Sequence, residues 1–237
     1  MSAPRRVRVL SGEVAIFAEC WGSRGPCVVL GHGFGGSARN FRPQARALAA
    51  NHRVVLFDAR GHARSDAPEP AAAYQPELFV ADLGAVLDAF DTKRAVVGGL
   101  SMGAGIALRF ALEHSERVSG LVLSAFPRAV DEPAHVPWAR GFADAIEARG
   151  LEAAGQELIW GRFDARTADL IKSGFLEHRP HALVHVLREL IAQQPAPNDM
   201  TGLTELAIPT LVIVGAEDLP SLGACRALGR LIPGANL

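Results

Sequence analysis

The chain has 237 residues, 49% of them hydrophobic, and its 24 basic against 25 acidic side chains leave a formal net charge of -1. That length suffices to bury roughly 70–75% of the unfolded surface in one large domain. The near-zero charge argues against nucleic acid or an anionic membrane as a partner. The basic start "MSAPRRVRVL" is not followed by an apolar h-region, and no uncharged apolar run reaches the roughly 18 residues of a membrane span, so a cytoplasmic address is expected. Cys20, Cys27 and Cys225 are scattered and lack C-x-x-C spacing, which argues against both a disulfide framework and a zinc site.

In chain order, "RVRVLSGEVAIFAECWG" alternates around Ser11-Gly12 and predicts an antiparallel hairpin at a sheet edge. The runs "CVVL" at 27, "VVLF" at 54, "AVV" at 95, "LVL" at 121 and "LVIV" at 211 are apolar on both faces and separated by helical segments. That is the pattern of a parallel sheet covered on both sides. "APEPAAAYQP", residues 67–76, reads as a proline-rich loop. From Arg128 to Pro209 no strand run occurs, and Trp138, Phe142, Trp160, Phe163 and Phe175 gather there. The expected organisation is an α/β core over residues 1–127 and 206–237 with a helical cap at 128–205.

Within "RAVVGGLSMGAGIALRF" the pentapeptide Gly99-Leu100-Ser101-Met102-Gly103 falls where a strand turns into a helix. A serine held at such a turn needs neighbours without side chains, so this setting marks Ser101 as a candidate nucleophile. A second glycine cluster, "GHGFGGSARNF", follows the "CVVL" strand, and the N–H groups of Phe34 and Met102 could converge on one oxyanion. Gly31, Gly33 and Gly36 also spell G-x-G-x-x-G, with Asp58 ending the next strand, as a dinucleotide site would require. Pro43 weighs against that reading: a helix opening within the glycines would hold it in its interior, at a cost of roughly 3 kcal/mol. A loop running to an Asn40 cap would leave Pro43 in the permissive first turn.

The motifs "HGFGG" at 32, "DARGHARSD" at 58, "GLSMG" at 99 and "VGAED" at 214, with the cap after the sixth strand, resemble the α/β-hydrolase superfamily. The similarity is to its small esterase and lactonase branch, which includes the 3-oxoadipate enol-lactonases. The resemblance covers nearly the whole chain. It implies Ser101 as nucleophile, Asp218 as triad acid in preference to Glu217 or Asp131, and Phe34 and Met102 as oxyanion donors, with no cofactor and no metal. Ala63 departs from the pattern at a position where relatives have a second glycine, so that turn is expected to be shaped differently.

A triad also needs an imidazole. The family places it in a loop after one further strand, and both are expected beyond residue 237, so the chain reads as C-terminally incomplete. Of the eight histidines, His32 is expected to be structural or substrate-facing, and His52 and His114 to lie at helix ends. His178, His181 and His185 have a spacing that could place them on one cap-helix face, and His135 could face the pocket. The expected activity is hydrolysis of a small carboxylic ester or lactone, with Trp138, Phe142, Trp160 and His32 contacting substrate. Carbon–carbon bond hydrolysis, cofactor-free perhydrolysis and a non-catalytic binding role remain open as alternatives.

Overall fold

The computed structural model describes residues 3–126 and 134–237. The chain opens with the hairpin β1 (Arg5–Ser11) and β2 (Val14–Trp21), joined at the left-handed Gly12. There follow β3 (Cys27–Gly31), α1 (Arg42–Leu48), β4 (Arg53–Phe57), α2 (Pro76–Ala89), β5 (Ala95–Leu100), α3 (Met102–Glu113) and β6 (Val118–Ser124). Four helices come next: α4 (His135–Arg149), α5 (Leu151–Leu158), α6 (Ala165–Phe175) and α7 (Pro180–His185), the last running into a π-helical stretch at Val186–Ile191. Strand β7 (Thr210–Ile213) and helix α8 (Leu219–Leu231) close the order.

The seven strands lie in the order β1-β2-β4-β3-β5-β6-β7, antiparallel at the hairpin and parallel from β4 onward. Strand β3 is buried at every position because neighbours flank both its edges and helices cover both its faces. Val29, Val55 and Val97 face α2 and α3 in the main core, whereas Val28, Leu30, Val54 and Leu56 form a smaller core under α1 with Trp21. On this second face Leu211 and Ile213 of β7 remain 43% and 48% exposed.

After the turn at Gly234 the chain returns to the free edge of β7, where Asn236 bridges Leu211 in parallel. Its carbonyl accepts from the Val212 N–H at 2.7 Å and its N–H donates to the Thr210 carbonyl at 2.9 Å. The expected cap boundary at 128 falls outside the described residues. Among those that are described, the segment between β6 and β7 contains helices and no strand.

Candidate active site

Ser101 is the joint between β5 and α3, with φ 51° and ψ -111°. A non-glycine residue adopts this geometry only when its surroundings impose it. The Ser101 N–H donates to the Ser124 carbonyl of β6 at 2.9 Å, and its carbonyl accepts from the Gly105 N–H at 3.0 Å. The flanking glycines are required by backbone contact: a Cβ on Gly103 would stand 2.3 Å from the Gly31 oxygen, and one on Gly99 would stand 2.6 Å from the same atom. Helix α3 therefore sits directly on the end of β3.

The glycine loop after β3 forms a turn in which the Gly36 N–H donates to the Gly33 carbonyl at 3.0 Å and Gly35 is left-handed at φ 69°. Among the described residues, neither the Phe34 N–H nor the Met102 N–H, at the first position of α3, has a hydrogen-bond partner. Asn40 does not cap α1, whose N-cap is Phe41 without a side-chain bond; it belongs instead to a 3-10 turn, Ala38–Phe41, that Ser37 caps. Asn40 closes the reciprocal bond by accepting from the Ser37 N–H at 2.8 Å. The 3-10 turn inserted ahead of α1 uses both short polar side chains, so none is left to cap the helix itself. Pro43 does lie in the first turn of α1. Asp58, the residue a dinucleotide site would need free, accepts from Arg64 at 2.7 and 3.0 Å and from the Ala38 N–H at 2.7 Å. Burial by itself raises the Asp58 carboxyl, but Arg64, His32 and that N–H outweigh it and hold the carboxyl below its ordinary range.

His32 does not reach the cavity. It is buried, its Nδ1–H donates to the Gly33 carbonyl at 2.7 Å, and its Nε2 accepts from the Ala59 N–H at 3.0 Å. Burial pushes its imidazole down to about 4. Its ring lies 5.0 Å from His62, which burial, with His32 and His178 next, holds well below the ordinary histidine range. His178 leaves the face that its spacing could have shared with His181 and His185. It precedes α7, packs 5.0 Å from His62 and donates to the Gly36 carbonyl at 2.9 Å, while His181 and His185 bond the carbonyls of Ala67 and Glu69. Ala63 adopts the left-handed conformation that a glycine would favour, at φ 44°, at the expense of strain.

A cavity of about 510 Å³ opens between sheet and cap, and Ser101, Met102 and Phe34 share its floor. Trp138 lines it, joined by Leu158, Ile159 and Phe163. Phe142 and Trp160 stand behind the wall: both are buried, Phe142 against Phe34 and Trp160 against Phe175, with Trp160 filling the space where a Gly155 Cβ would lie 1.9 Å from its ring. His135 lines the cavity, with its Nε2–H held by the Ile191 carbonyl at 2.8 Å. Asp218, half-buried, ends the loop after β7, and the next turn of the chain, Pro220 and Ser221, reaches the cavity. Glu217 is exposed, and Asp131 lies outside the described residues.

Sequence reasoning missed Arg162, Leu190, Ile191 and Gln194 on the wall. The last three belong to or follow the π-helical stretch, where the 3.6-residue period that sequence patterns rely on breaks down. Among the described residues no group of three or more metal-ligating side chains assembles, and no helix is long and apolar enough to cross a membrane.

A mostly parallel sheet with a strained serine at a strand-to-helix turn, beside backbone donors that have no partner among the described residues, is the architecture of the hydrolases built on an α/β sheet. The family model for the alpha/beta hydrolase fold matches residues 26–236, and the chain belongs to that family. The 2-hydroxy-6-oxononadienedioate/2-hydroxy-6-oxononatrienedioate hydrolase of Paraburkholderia xenovorans is 31% identical over 227 residues, covering 90% of this chain and 78% of that protein. Epoxide hydrolase B of Mycobacterium tuberculosis is 41% identical over a shorter stretch, and this chain spans only 30% of its length. Among solved structures, the enol-lactonase from Burkholderia xenovorans superposes with a TM-score of 0.83 at 24% identity, covering 98% of this chain and 89% of that one. An esterase from Thermogutta terrifontis gives 0.82 at 25% identity, covering 99% and 88%.

Proposed function

We propose that the protein is a serine hydrolase of small carboxylic esters or lactones. The observation that carries this reading is the strained Ser101 on the cavity floor beside two N–H groups that have no partner among the described residues. Ser101 Oγ attacks the substrate carbonyl, and the Phe34 and Met102 N–H groups hold the oxygen as it gains charge. A histidine takes the serine proton and returns it to the leaving alcohol, with Asp218 orienting the imidazole. Trp138 contacts the substrate, while Phe142, Trp160 and His32 brace the wall and the oxyanion loop from behind.

We assign the base to a histidine outside residues 1–237, because among the described residues His135 is the one histidine that lines the cavity with Ser101, and its Nε2–H is held by the Ile191 carbonyl. His32, His62, His135, His178, His181 and His185 are committed to backbone carbonyls. His114 packs on Phe110, and His52 follows α1 at the opposite end of β4 from Asp58. The test is p-nitrophenyl acetate hydrolysis by residues 1–237 and by the product of the full natural reading frame. Loss of a triad base lowers kcat by about 10⁴ to 10⁶, so the longer product should be faster by that order. Equal rates would put the base among these eight histidines, with His135 the first to mutate. Similarity to the dioate hydrolase favours carbon–carbon bond hydrolysis as a second reading. Turnover of 2-hydroxy-6-oxononadienedioate with no ester turnover would select it, and binding without either turnover would select a non-catalytic role.

A further inference from the structure

We propose that Gln194 is a specificity-determining residue of the Ser101 cavity, selecting substrates whose acyl portion carries an uncharged hydrogen-bonding oxygen, such as a keto group. The proposal rests on the hydrolase reading of the same cavity. Gln194 lines the cavity yet is only 7% exposed, and its Nε2 is buried without a partner among the described residues. Burying an amide donor unpaired is costly, and a structure retains such a group where something supplies the missing partner.

The neighbouring helix is shaped to admit this amide. A Cβ on Gly105 of α3 would stand 2.8 Å from Gln194 Oε1 and 3.2 Å from its Cδ. Glycine inside a helix is unfavourable relative to alanine, yet Gly105 sits on the first turn of α3, and the carboxamide rests against its bare backbone. Gly105 is also the residue whose N–H bonds the Ser101 carbonyl, so the amide rests against the backbone one helical turn along α3 from the nucleophile. One turn rises about 5.4 Å, which is close to the span from an ester carbonyl to an oxygen on the fifth carbon of its acyl chain. The terminal torsion of glutamine is soft, so a small rotation presents N–H to that oxygen. Leu190 and Ile191, just before Gln194, make the adjoining wall apolar, so a plain hydrocarbon chain fits the cavity but leaves the amide unpaired.

The experiment compares ethyl 5-oxohexanoate with ethyl hexanoate, using Ser101→Ala protein so that binding is read without turnover. Calorimetry should show the oxo-ester binding about tenfold more tightly, the factor expected when a buried donor gains its partner, even though the oxo-ester is the less hydrophobic ligand. Gln194→Leu added to Ser101→Ala should level the two affinities, and Gly105→Ala, which crowds the amide, should act in the same direction. In 15N-glutamine-labelled protein the Gln194 side-chain resonance should move with the oxo-ester and stay in place with the hexanoate. Equal affinities in Ser101→Ala protein, a preference that survives Gln194→Leu, a silent Gln194 resonance, or no saturable binding of either ester would each overturn the proposal. Ser101-dependent hydrolysis without any oxo preference would overturn it while leaving the hydrolase reading intact. An oxo preference in binding without Ser101-dependent hydrolysis would uphold the role of Gln194 and overturn that reading.

Discussion

At the serine turn the decisive contacts are between backbone atoms, with Gly103 and Gly99 pressed against the Gly31 carbonyl. Across the cavity, in the cap, they are between rings: Phe175 against Trp160, Phe142 and Phe34, and Trp138 against Phe142. Backbone contacts of this kind admit one residue type and leave no room for repacking. Ring contacts admit many arrangements of similar volume. The cap can therefore change its lining while the elbow keeps its geometry.

The sharpest way to break this contrast is Gly103→Ala. Its new Cβ meets backbone at 2.3 and 2.5 Å, and no side chain can move aside. We expect a loss of more than about 4 kcal/mol, seen as a melting temperature lower by about 10 °C or more. In the cap, Trp160→Ala removes a buried ring and should cost about 3–4 kcal/mol. Hydrogen exchange should locate that loss in residues 134–205 and leave the β3 and β5 amides protected, and exchange spreading into those strands would erase the distinction.

Acid should act where the two regions meet, since His32 and His62 are buried beside the cap residue His178. His32 has its folded-state value lowered from 6.5 to about 4, so between these values the unfolded chain binds the extra proton. Stability is thus full above about pH 6.5 and falls as pH drops toward 4, by about 3 kcal/mol from His32 alone, with His62 acting in the same direction. Denaturant melts at pH 7 and pH 4.5 measure this, and His32→Asn should reduce the difference. Trp138→Ala, at the half-buried cavity wall, should cost about 1 kcal/mol or less and shift the ratio of rates on short and bulky esters. The smallest expected effect is stabilising: Ala63→Gly relieves a left-handed alanine and should raise stability by about 0.5–1 kcal/mol.

The same contrast explains what could be read from the sequence. Glycines forced by backbone contact and β-branched runs forced by burial leave fixed letters, so the hairpin, the parallel strands, the Ser101 turn and the first-turn position of Pro43 were all legible. The facing of cap side chains left no such trace. Phe142, Trp138 and Trp160 are equally aromatic, and only the packing of α4 and α5 decides that Trp138 meets the cavity while the other two turn inward. Gln194 was invisible because its significance comes from Gly105, 89 positions away along the chain, and from a π-helical stretch that shifts the register before it. That Ala63 would be left-handed was equally invisible, because its tertiary setting and not its own side chain imposes that conformation.

The strained geometry of Ser101 is proposed to make it a nucleophile. The most direct test is peptide mapping by mass spectrometry after treating the product of the natural reading frame with a fluorophosphonate ester. The account predicts one modified residue, Ser101, and no modification in Ser101→Ala protein. Labelling that persists in that variant, or that falls on another serine while Ser101 stays free, would contradict it.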